Sequence, residues 1–111
     1  MSEFDFKSIW TGRVDQGEEP ELSLRLHQVI KPVSEAETAG LAILGFCSDE
    51  GVRRNQGRVG AVQAPNQIRK FLASLPWSAK QSVYEAGNVA CQHSDLESAQ
   101  AELSVEVQNV L

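Results

Sequence analysis

The sequence predicts an α/β domain built on a parallel sheet. Three features carry that expectation. "GLAILGF", Gly40 to Phe46, is a continuous apolar run without alternation, the pattern of a strand buried on both faces between helices. Behind it, Ile68, Phe71, Leu72 and Leu75 recur at helical spacing after Pro65. A second short strand pattern, "SVYEAG" at Ser82 to Gly87, then leads into another helical stripe. Strand, helix, strand and helix in that order imply parallel strands joined by crossovers.

The elements follow along the chain. Residues 1–33 read as an irregular arm with a short helix or turn, because Gly12, Gly17 and Pro20 interrupt a weak apolar pattern at Leu22, Leu24, Leu26 and Val29. Pro32 closes that segment, and Trp10 is expected to dock on the domain as a packing anchor. Residues 34–111 carry the strand-loop-helix-strand-helix core. Pro65 suits a first helical position, where its missing N–H costs nothing. Burying Ile68, Phe71, Leu72 and Leu75 would contribute roughly 6–12 kcal/mol before entropy, at ~1.5–3 kcal/mol each. Pro76 ends that pattern, and Gly87-Asn88 reads as a turn after the second strand. Asp95 is a helix cap in front of Leu96, Ala99, Leu103, Val107 and Val110, with Glu97 favouring the positive end of the helix dipole. That last helix has no glycine cap and no basic final turn, and two strands are too few to cover both helices. The expectation is the front part of a larger domain. The alternative is a small domain that dimerises to complete its sheet.

Composition narrows the function classes. A chain of 111 residues, 41% hydrophobic and 23% charged, is an ordinary globular composition with room for one domain. No apolar run approaches the ~20 residues that span a bilayer, and the start lacks a secretory pattern. A cytoplasmic location is the default, with no membrane partner. All Lys and Arg lie at or before Lys80, so Glu85, Asp95, Glu97, Glu102 and Glu106 supply the whole net charge of −5. A net acidic chain argues against nucleic-acid binding. Cys47, Cys91, His27 and His93 make neither a disulfide scaffold nor a zinc set, and are expected to be structural or solvent-facing.

The stretch from Asp49 to Phe71, "DEGVRRNQGRVGAVQAPNQIRKF", follows the first strand at its carboxyl end, where ligands bind in open α/β sheets. Its glycines give neither G-x-G-x-x-G nor G-x-x-x-x-G-K-[ST], which excludes the usual nucleotide loops. Arg53, Arg54 and Arg58 each offer a planar, two-pronged donor suited to a carboxylate. The competing reading pairs them internally with Asp49, Glu50, Glu18 or Glu19.

"GFCSDEGVRRNQGRVGAVQAPNQIRKFLASLP" resembles the first strand, loop and helix of the arginase/agmatinase (ureohydrolase) family. "WTGRVD" at Trp10 to Asp15, "RLHQ" at Arg25 to Gln28 and "EAGNVAC" at Glu85 to Cys91 favour its formimidoylglutamase branch. The resemblance runs almost from end to end. It implies the N-terminal part of an arginase-like three-layer α/β/α fold with a mainly parallel sheet. It also implies a hydrolase with two Mn²⁺ ions that converts N-formimidoyl-L-glutamate and water to L-glutamate and formamide in histidine degradation. Within the loop, Arg54, Asn55 and Arg58 are the substrate-binding candidates.

No catalytic or metal-ligating residue carries over. The family's His-Glu, Asp-x-His-x-Asp and Asp-x-Asp segments are absent, and Asp5, Asp15, Asp49 and Asp95 stand singly. The resemblance therefore implies an N-terminal fragment, inactive alone, whose partners are a small-molecule substrate and the remainder of its own domain, with homo-oligomers open. Ala64 stands where the family usually has Gly, which would cost stability if a positive φ were required there. Asn88 stands where relatives often carry Asp. Two alternatives remain: a non-catalytic module binding a small anion or partner, and an agmatinase- or arginase-like amidino hydrolase, which arginines facing the pocket would suit poorly.

Overall fold

The computed structural model describes residues 4–15, 23–77, 80–91 and 94–111. The expectations for Gly17, Glu18, Glu19, Pro20, Leu22 and His93 therefore lie outside the described residues. The order is α1 (Phe6–Ile9), α2 (Leu26–Val29), β1 (Lys31–Pro32), β2 (Leu41–Cys47), α3 (Glu50–Arg54), α4 (Ala64–Leu72), β3 (Val83–Ala90) and α5 (Leu96–Val110). The three strands form one sheet in the order β1-β3-β2, and both pairings are parallel. The expected α/β class with a parallel sheet is what the chain adopts.

The strands exchange their expected roles. Strand β2, the purest apolar run, lies at the edge and exposes Leu41 and Ala42. Strand β3, less apolar in sequence, is central and buried from Val83 to Val89. It does not turn at Gly87-Asn88 but continues through them. The glycine is used differently: Gly87 has φ 86°, and the pairing slips between Ile43↔Glu85 and Gly45↔Asn88. One extra residue on β3 makes a bulge there.

Alternation along β2 sends Ile43 and Gly45 toward α4, while Ala42 and Leu44 share a groove with Val107 and Val110 of α5. The two long helices thus cover opposite faces. On the α4 face lies the main apolar cluster of Ile9, Trp10, Leu26, Ile30, Ala73 and Val83. Four of its six residues come from the arm, which is more regular than its sequence implies. Backbone bonds from Leu26 N to Leu75 O, His27 N to Ala73 O and Trp77 N to Leu24 O dock the arm on the end of α4. Asp15 links the two arm motifs by bonding Arg13 and Arg25, each at 2.9 Å.

Helix α4 corrects the periodicity argument. Pro65 sits in its first turn as expected, but Phe71 is 81% exposed, Ile68 56% and Leu75 43%. The buried face instead carries Arg69, 1% exposed, with half-buried Leu72 on the same cluster and Ala73 just past the helix end. An arginine counts as polar in any periodicity, so the stripe pointed the wrong way. What turns Arg69 inward is a carboxylate on β3. Ala64 has φ −57° and ψ −44°, ordinary helical values, so alanine carries no backbone strain there. Asp95 caps α5 by accepting from Ser98 N at 3.1 Å, as its sequence implies.

Gly45 is where β2, β3 and α4 come closest. A β-carbon there would lie 2.0 Å from Asn88 Oδ1 and 2.9 Å from both Arg69 Nη1 and Pro65 Cβ. Gly45→Ala should destabilise the fold by about 1–3 kcal/mol through overpacking. Urea unfolding followed by circular dichroism measures this, and an unchanged midpoint would contradict it.

Candidate functional site

Strands β2 and β3 end side by side, with Cys47 opposite Ala90. The stretch after β2 begins with a short helix rather than an open loop. Asp49 closes the loop behind it, accepting from Gly60 N at 2.8 Å and Val62 N at 2.9 Å. Gly60 makes that return possible with φ 143°, a value that L side chains rarely adopt.

Glu50 is the anchor of α3. It is buried, and both Arg53 and Arg54 donate to it, Arg54 from Nε at 3.0 Å. Hydrogen bonding from Arg53, reinforced by Arg54 and opposed by burial, holds its carboxyl down to about 2. Arg54 also reaches α5, donating from Nη1 to Glu97 Oε1 at 2.7 Å and from Nη2 to Ser94 O at 3.3 Å. Its bond to Glu97 in turn lowers that carboxyl below its ordinary value. Arg54 therefore ties the connection after β2 to the one after β3.

The other candidates are placed differently. Asn55 is exposed and ends α3, with its N–H bonded to Gly51 O at 3.2 Å. Arg58 is exposed and makes no side-chain hydrogen bond among the described residues. The internal-pairing reading thus describes Arg53 and Arg54, with Glu50 as their partner, and leaves Arg58 open to solvent. Cys47 is half-buried, and burial pushes its thiol up, so it is not an activated nucleophile. His27 shares a 2.8 Å hydrogen bond with Arg13 O.

Beneath this edge lies a buried polar network that sequence reasoning missed. Arg69 donates from Nε to Glu85 Oε1 at 2.7 Å and from Nη2 to Glu85 Oε2 and Gly87 O, both at 2.9 Å. Its Nη1 donates to Asn88 Oδ1 at 2.5 Å and Asn66 Oδ1 at 3.2 Å. All five guanidinium N–H groups are thereby used. Glu85 also accepts from Trp10 Nε1 and from Gly87 N, each at 2.8 Å. Trp10 is the packing anchor that its sequence implied, and its indole N–H completes the carboxylate's shell.

Glu85 and Asn88 are three residues apart and would face opposite sides of a regular strand. The bulge brings both onto Arg69. Asn88 Nδ2 then donates to Asn66 Oδ1 at 3.0 Å, so the amide satisfies both neighbours. One sequence signal was available: a glutamate inside a strand must have a partner if it is buried.

Among the described residues, no group of three or more His, Cys, Asp or Glu is placed to hold a metal ion. None of their helices is long and apolar enough to cross a membrane.

No protein-family model matches the chain. Curated proteins do. The chain is 48% identical over 103 residues to a formimidoylglutamase of Chromobacterium violaceum, covering 93% of this chain and 33% of that protein. The chain is related to the formimidoylglutamases. It is also 45% identical over 102 residues to the formimidoylglutamase of Aliivibrio fischeri, covering 92% of this chain and 29% of the relative. For the Lysinibacillus sphaericus formimidoylglutamase the identity is 46% over 109 residues, covering 92% and 34%. The chain spans about a third of the length of these relatives. Its fold agrees with the expected arginase-like α/β class.

Glu85→Ala strands a buried guanidinium and should cost about 3–5 kcal/mol, whereas Arg69→Met with Glu85→Leu should recover much of that loss in urea unfolding. Glu50 has a depressed carboxyl, so its contribution is complete above the ordinary value of 4.5 and is lost as pH falls toward about 2. An NMR titration should show the amides of α3 shifting within that acid window; movement confined to neutral pH would contradict it.

Proposed function

We propose that this chain belongs to a metal-dependent C–N hydrolase that converts N-formimidoyl-L-glutamate and water to L-glutamate and formamide, in the cytoplasm, as a step of histidine breakdown. The observation that carries the reading is the similarity to formimidoylglutamases over more than nine-tenths of the chain. Within that reading, the 111 residues are the N-terminal part of a single ureohydrolase-type domain. The arm of residues 1–33 braces a core of residues 34–111.

The site roles follow from the charge arrangement. N-formimidoyl-L-glutamate carries two carboxylates, and an uncommitted guanidinium at the strand ends is the group to receive one. Arg58 fills that role, with the amide of neighbouring Asn55 as a second donor. Arg54 acts on the same substrate from a fixed position, because Glu50 and Glu97 hold its guanidinium at the rim. Arginines here favour an anionic substrate over a cationic guanidino compound, which ranks the agmatine and arginine readings lower.

The metal of the full-length enzyme is Mn²⁺, two ions in this reading. The described residues do not fit such a centre, so its ligands come from sequence other than these residues.

Purified alone with Mn²⁺ and N-formimidoyl-L-glutamate, the 111-residue chain should release no formamide above blank. The full-length enzyme should release it, and Arg58→Ala in that enzyme should raise KM by roughly tenfold or more, as expected for a lost charge-assisted hydrogen bond. Turnover by the isolated chain, or an unchanged KM in the variant, would overturn the corresponding part of the reading.

A further inference from the structure

We propose that Glu97 occupies, in the free chain, the edge of the Arg54 guanidinium that a substrate carboxylate takes, and that the two carboxylates exchange there on binding. This deepens the anionic-substrate reading above and rests on it.

Arg54 presents two edges, and they are held differently. Its Nε donates to Glu50 Oε1 at 3.0 Å, and Glu50 is 5% exposed. Its outer edge meets Glu97, with Nη1 donating to Oε1 at 2.7 Å and Nη2 to Oε2 at 3.3 Å. One oxygen on each nitrogen is the two-pronged pattern by which a guanidinium receives a carboxylate of any origin. The chain itself thus shows the chemistry this edge accepts. Ser94 O takes a further bond from Nη2 at 3.3 Å, and Ser94 has φ 66°, a left-handed value that L side chains rarely adopt. Backbone strain kept at that point marks a segment shaped around the guanidinium.

The two glutamates are not equally able to leave. Glu50 is buried, also accepts from Arg53, and would be stranded without its partners. Glu97 is 69% exposed, where water replaces much of what it gives up. On the scale of exposed ion pairs, its release changes an equilibrium by no more than about fivefold. Glu97 lies in the first turn of α5, so its freed carboxylate stays beside helix N–H groups that favour a negative charge. Glu50 therefore keeps the guanidinium in place while Glu97 yields its edge. A neutral or cationic ligand has nothing to offer in exchange, so the step selects for carboxylates.

Steady-state kinetics of the full-length enzyme test the exchange. Glu97→Gln removes the internal competitor and should lower KM for N-formimidoyl-L-glutamate by about two- to fivefold, with little change in kcat. Titration calorimetry with glutarate, a dicarboxylate without the formimidoyl group, should show tighter binding by the same factor. In an Arg54→Ala background, Glu97→Gln should change neither KM nor glutarate affinity, because there is no edge to free. Glu37→Gln, at an exposed position before β2, removes one negative charge elsewhere and serves as the control. Circular dichroism checks that each variant is folded. An unchanged or raised KM in Glu97→Gln would overturn the proposal. So would a fall in KM that persists without Arg54, which is what a general charge effect produces. Tighter glutarate binding after Glu97→Gln in an enzyme that does not turn over N-formimidoyl-L-glutamate would overturn the substrate assignment and leave the exchange standing.

Discussion

The Arg69–Glu85 pair is the contact on which the rest of the structure depends. Taking both charges out of water is costly, and their attraction offsets that cost only when every remaining donor and acceptor is also satisfied. Here they are. Arg69 spends its donors on Glu85, Gly87, Asn88 and Asn66, while Glu85 takes further bonds from Trp10 and the Gly87 amide. Phe4 stacks beneath the guanidinium, 4.7 Å from ring centroid to its carbon. One side-chain pair thus fixes the rotation of α4, the bulge in β3 and the docking of the arm through Trp10. It also explains the glycine at position 45, since Asn88 and Arg69 fill the space a side chain would take.

A second polar network, at the carboxyl edge of the sheet, is of different character. Arg53, Arg54 and Glu97 meet at the surface around the buried carboxylate of Glu50, and Arg54 is 42% exposed and Glu97 69%. Water screens such pairs, and each contributes little to stability. Their consequence is positional: Arg54 joins the segments that follow two neighbouring strands, and Arg58 beyond them stays available. Rigid scaffold below and adjustable charge above is the arrangement in which loops carry binding.

Much of this was legible in the sequence, for local reasons. The capping carboxylate of Asp95, the helix start at Pro65 and the apolar run of β2 depend on neighbours a few residues away. The charged stretch after β2 was legible by its position at a strand end, and the arm motifs by their resemblance to a family. Glu50 as a partner for Arg53 and Arg54 lies only three and four residues away, within reach of the same local logic. The buried network was not legible, because Arg69 and Trp10 reach Glu85 across 16 and 75 residues and four of its side chains, Arg69, Glu85, Asn88 and Asn66, are of types that are mostly exposed.

The sequence by itself determined the α/β class, the order of the main elements, the charged stretch at the strand end and the family relationship. Those features rest on local propensity, hydrophobic runs and linear motifs. The tertiary structure decided which strand is central, which face of α4 is buried and how Gly87 is used. These depend on where one guanidinium finds its carboxylate, and a buried charge must satisfy all of its hydrogen bonds before apolar side chains settle theirs. Ile68 and Phe71 were left outside because Arg69 had to be in.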